Sequence, residues 1–366
     1  MDGLRAVAIL LVFIAHFCPS DLNGAILNRV VRRGGFGVEV FFVISGFLIT
    51  YLLLVEEHVR SRIVVRLFYG RRAVRILPAL VVYLTVLFVA DHAGIIIVPI
   101  RDLLASLLFA RNYVGTSWET GHLWTLAIEE QFYVVWPLFL VILRTPQRRI
   151  TVMVALICLS PIWRQVSYRL VGGAAAVNAW RTDLRSEPLA IGALLALLLS
   201  VTRTRNVLIR SSIWTAGAAS VILICVQLTG MFERPVLRAF VPTLSWISVA
   251  AIINFSIQNS RSILTSLLEW RPLVGIGRLS YSLYLWQQPF APHLPGMTAG
   301  RLREFPINLL LAVGFALCSY YFVEQPFARL RHRLRGQPQN PSATATTFNG
   351  LAVASGAGRI RGKVVG

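Results

Sequence analysis

Apolar stretches recur along most of the chain and are separated by short polar connections. A hydrocarbon layer about 30 Å thick needs about twenty helical residues to cross it, so each stretch predicts a transmembrane helix. The ten predicted helices cover about 4–19, 37–55, 77–97, 122–143, 150–166, 187–201, 212–230, 239–257, 273–292 and 305–323. We therefore expect an all-α, polytopic integral membrane protein with about ten transmembrane helices.

The polar connections are too short to hold a second folded unit. Residues 1–335 are therefore predicted to form a single transmembrane domain. Residues 336–366 are rich in small and polar side chains and contain one aromatic residue, Phe348, so we predict a disordered cytoplasmic tail. Any chemistry must then lie in the helices and their connections.

Composition supports the membrane assignment. The chain is 56% hydrophobic and 14% charged, with a mean hydropathy of +0.66. Its net charge of +20 would suggest nucleic acid in a soluble protein, but no nucleic-acid motif accompanies it. If both termini are cytoplasmic, most arginines fall on the inner side of a plasma membrane, as the positive-inside rule requires, although Arg29, Arg32 and Arg33 run against it.

The four cysteines, Cys18, Cys158, Cys225 and Cys318, lie in separate apolar segments. Their spacing implies neither a disulfide framework nor a metal site. We expect them to pack as small residues in the core.

Charged residues within membrane helices cost about 2.5–3.5 kcal/mol each, which makes them functional candidates. In the first predicted helix, Arg5 and His16 are eleven residues apart, about 16 Å along one helical face. They would line the same channel, or His16 could simply be satisfied by a carbonyl of a neighbouring helix. Glu39, near the outer end of the second helix, could pair with His16 or with Arg32 or Arg33.

An arginine cluster precedes the third predicted helix. Arg71 and Arg75 share a helical face, and Arg72 lies between them, before Pro78. Guanidinium groups on the cytoplasmic side suit phosphate, to which they donate paired hydrogen bonds. Anchoring at lipid headgroups is the alternative.

The fourth predicted helix carries two adjacent carboxylates. His122 and Glu129 are seven residues apart and face the same way, with Glu130 rotated by about 100°. Such groups need arginine partners, a wet cavity or protonation. This pattern favours an active-site or gating role over a structural ion pair.

Three other segments contain polar groups. In the ninth helix, Tyr281, Tyr284 and Gln288 form a stripe that could bind a hydroxylated ligand or form an interfacial belt. For the remaining charged residues, structural ion pairs are the favoured interpretation; these are Arg181, Asp183, Arg185, Glu187 and Glu324.

Seven motifs occur in a fixed order: DGLRAVAILLVFIAHF, GVEVFFVISGFLIT, RRAVRILPAL, HLWTLAIEEQFYVVWP, RTDLRSEPLAIGALLA, LSYSLYLWQQP and VEQPF. With them the chain resembles acyltransferase family 3, bacterial membrane enzymes that O-acylate envelope and exported carbohydrates. The resemblance extends from Met1 to about Arg335. It implies that Arg5 and His16 are required for activity, and that Glu129 and Glu130 belong to the functional core. It also implies that the arginine cluster helps to hold the donor.

Three positions depart from the family pattern. Glu39 and Glu187 stand where aspartate is common, which conserves charge. Gln287 stands where the ninth-helix motif usually has histidine, which removes a titratable group.

The resemblance implies transfer of an acyl group, expected to be acetyl, from acyl-CoA to a carbohydrate or glycolipid hydroxyl, with no bound cofactor. The donor phosphates would contact the arginine cluster, and the thioester would lie near His16. This histidine would take the hydroxyl proton and then protonate the thiolate, with Glu39 or Glu129 orienting the ring. Direct transfer and an acyl-histidine intermediate are both open. The expected acceptor-binding residues are His122, Tyr281, Tyr284 and Gln288.

Two other functions fit the same pattern. A polar path through ten helices also describes a transporter or flippase of a modified glycolipid, although no inverted repeat is visible. A relative without acyl transfer, acting as a partner or sensor, is the other alternative, and Gln287 is its best support.

Overall fold

The computed structural model describes residues 1–18, 34–170, 180–228, 237–292 and 304–333. These residues are helical, with no strand among them, which confirms the all-α prediction. The loop arginines Arg29, Arg32 and Arg33 and the predicted tail 336–366 lie outside the described residues.

Fifteen α-helices are described, with a 3-10 turn at Gly121–Leu123 and a π-helical turn at Tyr320–Glu324. In chain order the helices are α1 Asp2–Phe17, α2 Phe36–Arg60, α3 Val65–His92, α4 Ile100–Leu107, α5 Trp124–Ile142, α6 Pro146–Leu170, α7 Thr182–Arg185, α8 Glu187–Ser200, α9 Thr202–Arg210, α10 Ser212–Leu228, α11 Leu237–Gln258, α12 Ile263–Leu268, α13 Arg271–Gln287, α14 Ile307–Ser319 and α15 Gln325–Arg333.

Six helical segments of the described chain are long and apolar enough to cross a membrane: Phe36–Arg60, Val65–His92, Gly121–Ile142, Pro146–Leu170, Leu237–Gln258 and Ile307–Arg329. Helices α8 and α9 meet at a bend of 106° and would add a seventh crossing if they count as one. The prediction of about ten crossings is not confirmed. Two of the predicted helices, α1 and α13, have only 16 and 17 residues, below the roughly twenty that a perpendicular crossing needs.

Glycines set the closest helix contacts. A Cβ atom at Gly46 of α2 would collide with the carbonyl oxygen of Leu189 in α8, and one at Gly192 would collide with that of Val43. Helices α1 and α13 approach in the same way at Gly277. Small residues let helix backbones pack closely where lipid supplies no hydrophobic driving force.

The outer faces of the helices are apolar and exposed. Examples on α3 are Val81, Phe88 and Val89, as expected for side chains that meet lipid. The prediction that the four cysteines pack in the core is wrong, because all four are exposed on the described surface.

Candidate active site

A cavity of about 470 Å³ lies among helices α1, α2, α3, α5 and α13. Its charged wall combines Arg5, Arg71, Arg72, Arg75 and Glu129. With Val38 and Tyr281 also in the wall, residues from five separate sequence motifs meet around one space.

Each of the three clustered arginines interacts with a carboxylate, and Arg75 does so with Glu324. Arg71 donates to Glu56 at 2.5 Å. Arg72 lies 3.6 Å from Glu130, and its guanidinium stacks 3.9 Å above the Tyr133 ring. The Nε atom of Arg72 is buried and has no hydrogen-bond partner among the described residues. These contacts fix the guanidinium groups while leaving donor capacity for an anionic ligand.

The two adjacent glutamates both face the arginine cluster. Glu129 lines the cavity, within hydrogen-bonding reach of the Ser45 hydroxyl, and interacts electrostatically with Arg72. Glu130 contacts Arg72 from the other side. The two glutamates therefore hold the Arg72 guanidinium in the cavity wall.

Arg5 and His16 lie at different levels of α1. Arg5 lines the cavity and lies 3.4 Å from Asp2. His16 does not line it, and its Nδ1 atom lies 2.9 Å from the Val12 carbonyl oxygen of the same helix. Its ring lies beside the Gln287 amide and close enough to His122 for their charges to interact.

A hydrogen-bonded barrier lies between the cavity and the histidines. Thr125 and Tyr284 line the cavity, and the Thr125 hydroxyl donates to the Tyr284 oxygen at 2.7 Å. The Tyr284 hydroxyl donates to the His122 carbonyl at 2.9 Å. The His122 ring packs edge-on against Tyr83 and Tyr284, with ring centres 5.7 and 5.3 Å apart.

The predicted acceptor-binding residues are mostly brought together. Gln288 lies beside the turn that carries His122, and its carbonyl accepts the Trp118 indole N–H at 3.0 Å. Tyr281 lies one turn below Tyr284 in the cavity wall, and its hydroxyl donates to the Ile76 carbonyl at 3.0 Å. His122, Tyr284 and Gln288 thus lie together, while the hydroxyl of Tyr281 is directed to α3.

Glu39 lies in a different network. Its carboxylate accepts the Trp246 indole N–H at 2.6 Å and lies 3.4 Å from Arg185, and His16 is not among its described partners. The predicted pairing with Arg32 or Arg33 lies outside the described residues. Glu187 pairs with the buried guanidinium of Arg164 and accepts the Thr243 hydroxyl at 2.7 Å. The first turns of α2 and α8 are therefore joined to α6 and α11 by buried charges.

Glu324 lies in the π-helical turn. It accepts a hydrogen bond from Ser282 of α13 and interacts electrostatically with Arg75. The last motif of the chain is thereby linked to the arginine cluster.

Sequence reasoning missed the residues that shape the connection before His122. The Asp102 carboxylate accepts the backbone N–H groups of Thr116 and Ser117 at 2.8 and 2.6 Å. Burial alone would raise the pKa of Asp102, but these hydrogen bonds and the nearby Arg111 hold it below its usual value. Arg111 donates to the Ser117 carbonyl at 2.8 Å. The sequence did contain a signal for this arrangement: the oppositely charged Asp102 and Arg111 precede a segment of turn-forming residues.

A family model described as an acyltransferase domain matches residues 1–324. YrhL of Bacillus subtilis is 33% identical over 356 residues, which cover 89% of this chain and 54% of that protein. The peptidoglycan O-acetyltransferase OatA of Listeria monocytogenes is 30% identical over 360 residues, with 90% and 55% covered. The O-acetyltransferase OatA of Staphylococcus aureus is 28% identical over 353 residues, with 90% and 57% covered.

The chain spans about half the length of these curated relatives. No solved structure matches it. The family match covers nearly all of the membrane helices and every residue of the cavity wall. The chain therefore belongs to the family of membrane acyltransferase domains that its seven motifs indicated.

Proposed function

We propose that the protein is a membrane-embedded O-acetyltransferase of the cell envelope, which moves the acetyl group of acetyl-CoA to a carbohydrate hydroxyl. Its family membership and the names of its relatives support this reaction type. The glycan of peptidoglycan, named for the Listeria relative, is the acceptor we propose.

The proposed topology has about ten crossings, with the short helices α1 and α13 among them and both termini in the cytoplasm. Met1, Arg60 and Arg71 line the same cavity and would then lie at its cytoplasmic mouth. This is the compartment from which a coenzyme A thioester would enter.

One observation carries the proposal: the clustered arginines and Arg5 line a single cavity whose far end is closed by Thr125 and Tyr284, beneath the histidines. Arg71, Arg72 and Arg75 would hold the donor phosphates through charge-assisted hydrogen bonds. Glu129 and Glu130 act as positioning residues that hold Arg72. The pantetheine arm would run past Arg5 toward Thr125 and Tyr284, which would have to move apart for the thioester to reach His16.

His16 is the proposed catalytic base. A carbonyl oxygen can only accept, so the Nδ1 atom beside Val12 carries the proton and Nε2 is the acceptor. Nε2 takes the proton of the acceptor hydroxyl as its oxygen bonds to the thioester carbonyl carbon. The carbon–sulfur bond then breaks, and the same proton passes to the departing thiolate, giving an ester and free coenzyme A. In the alternative route, Nε2 itself attacks and the acetyl group rests on His16 before transfer.

The test uses membranes with and without the protein, incubated with radiolabelled acetyl-CoA and peptidoglycan stripped of its esters. We expect base-labile label on the glycan only when the protein is present. Equal label in both membranes would contradict the proposal. A transporter of a modified glycolipid would instead move that lipid between leaflets without labelling the glycan. Label that stays on the protein after an acid quench would favour the acyl-histidine route.

A further inference from the structure

A group of buried polar atoms lies beyond the Thr125–Tyr284 barrier. His122, Gln287 and Gln288 are 5%, 0% and 4% exposed, and none of them lines the cavity below. Five of their side-chain atoms make no well-formed hydrogen bond within the described part of the chain. These atoms are both ring nitrogens of His122, the oxygen and nitrogen of the Gln287 amide, and the Gln288 amide oxygen.

The five atoms belong to one small region. The Gln287 amide and the His122 ring both lie beside His16. The Gln288 amide lies beside Gly121, the residue before His122. This cluster, which we call the polar chamber, therefore surrounds the base of the proposed reaction.

Buried polar groups in folded proteins are almost always hydrogen-bonded, because leaving them unpaired forfeits their hydration. The contacts of Gln287 with His16 and of His122 with the Leu285 backbone fall short of good hydrogen-bond geometry, so all five atoms can accept a better partner, which a ligand would supply. Burying polar atoms without good hydrogen bonds costs free energy. A bound ligand, or water that occupies the site when the ligand is absent, would offset that cost.

The chemistry of the polar chamber selects the ligand. Amides and imidazoles offer both donors and acceptors, and none of the three side chains is a carboxylate or a guanidinium. Such a lining suits a neutral group that donates and accepts at once, which is the property of an alcohol. The phosphates of the donor suit the arginine-lined cavity on the other side of Tyr284.

We propose that His122, Gln287 and Gln288 form the subsite for the acceptor hydroxyl, with Gln287 as the residue that positions this hydroxyl against Nε2 of His16. The inference rests on the proposed function and names where its second substrate binds. It also gives Gln287 a role of its own. An amide keeps a donor and an acceptor beside His16 without adding a titratable group, and His122 supplies the second imidazole.

The test compares the wild type with Gln287→Leu, which keeps a similar volume but removes both polar atoms. The probes are radiolabelled acetyl-CoA and a soluble tetramer of β-1,4-linked N-acetylglucosamine. We expect the KM for the tetramer to rise about 10- to 100-fold, the range for one or two lost buried hydrogen bonds, and the KM for acetyl-CoA to stay unchanged. Gln165→Leu, on α6 and away from the site residues, is the control and should alter neither KM.

A second variant guards against a simple packing defect. Gln287→His keeps a donor and an acceptor, so its KM for the tetramer should stay near that of the wild type. If both variants raise the KM for the tetramer equally, a change in packing and not the loss of hydrogen bonds is the cause. That result would overturn the subsite. So would an unchanged tetramer KM in Gln287→Leu. A wild type that acetylates neither probe nor peptidoglycan would contradict the proposed function itself, and with it the subsite.

Discussion

The Nδ1 atom of His16 lies 2.9 Å from the Val12 carbonyl oxygen, one helical turn earlier. His92 makes the same kind of contact with Phe88, at 3.1 Å, but on an exposed turn of α3. In both residues the carbonyl fixes the proton on Nδ1 and leaves Nε2 as an acceptor. Only His16 has an imidazole and an amide beside it. Its surroundings, and not its local backbone contact, set it apart.

The donor site makes a prediction about Arg75. Arg75→Gln should raise the KM for acetyl-CoA about tenfold or more, because a phosphate loses a charge-assisted partner. The KM for the carbohydrate acceptor should not change. Initial rates over a series of acetyl-CoA concentrations measure both. Arg66→Gln is the matched control, since Arg66 lies on the same helix but is exposed and outside the cavity. If Arg75→Gln and Arg66→Gln have the same KM for acetyl-CoA, the arginine cluster does not bind the donor.

The buried pair of Arg164 and Glu187 makes a prediction about stability. Glu187→Gln leaves the Arg164 guanidinium buried without its counter-charge, which should destabilise the fold by about 3–5 kcal/mol. Thermal unfolding in detergent would measure the loss. The double variant Arg164→Met with Glu187→Leu should recover most of it.

An exposed ion pair provides the comparison. Arg181 and Asp183 are 2.6 Å apart at the surface, so Asp183→Asn should cost no more than about 1 kcal/mol. A Glu187→Gln variant that melts at the same temperature as Asp183→Asn would contradict the structural role assigned to the buried pair.

Asp102 makes a prediction about pH. Its pKa in the folded protein lies below the value of about 3.9 expected in the unfolded chain, so the carboxylate stabilises the fold at higher pH. That contribution is fully present above the unfolded pKa and is lost as the pH falls through the lower folded pKa. Asp102→Asn should therefore melt below the wild type at pH 7, and the difference should shrink below about pH 4. A difference that stays constant from pH 7 to pH 3 would contradict this account.

Much of the architecture could be predicted from apolar periodicity. The helices α2, α5 and α11 lie where hydrophobic stretches placed them. Helix α3 begins twelve residues before its predicted start at 77, so the arginine cluster lies within this helix and not before it. The spacing of Arg5 and His16 correctly put both on one helix. Local sequence was sufficient here because helical spacing alone decides which side chains share a face.

Pairings between distant helices could not be predicted. Glu39 meets Arg185, which is 146 residues away, and Arg164 meets Glu187, which is 23 residues away. Nothing in the spacing of either residue fixes such contacts, because they follow from how whole helices pack. The bend of 106° between α8 and α9 has the same origin. The helix predicted at 187–201 ends at this bend, and α9 follows it as a separate short helix.

The most direct measurement compares His16→Ala with His92→Ala, expressed to the same level, in transfer from radiolabelled acetyl-CoA to peptidoglycan. The account predicts that His16→Ala abolishes labelling and that His92→Ala keeps the wild-type rate, because only His16 adjoins the polar chamber. Equal labelling by His16→Ala and the wild type would contradict the central claim that His16 is the base of the reaction.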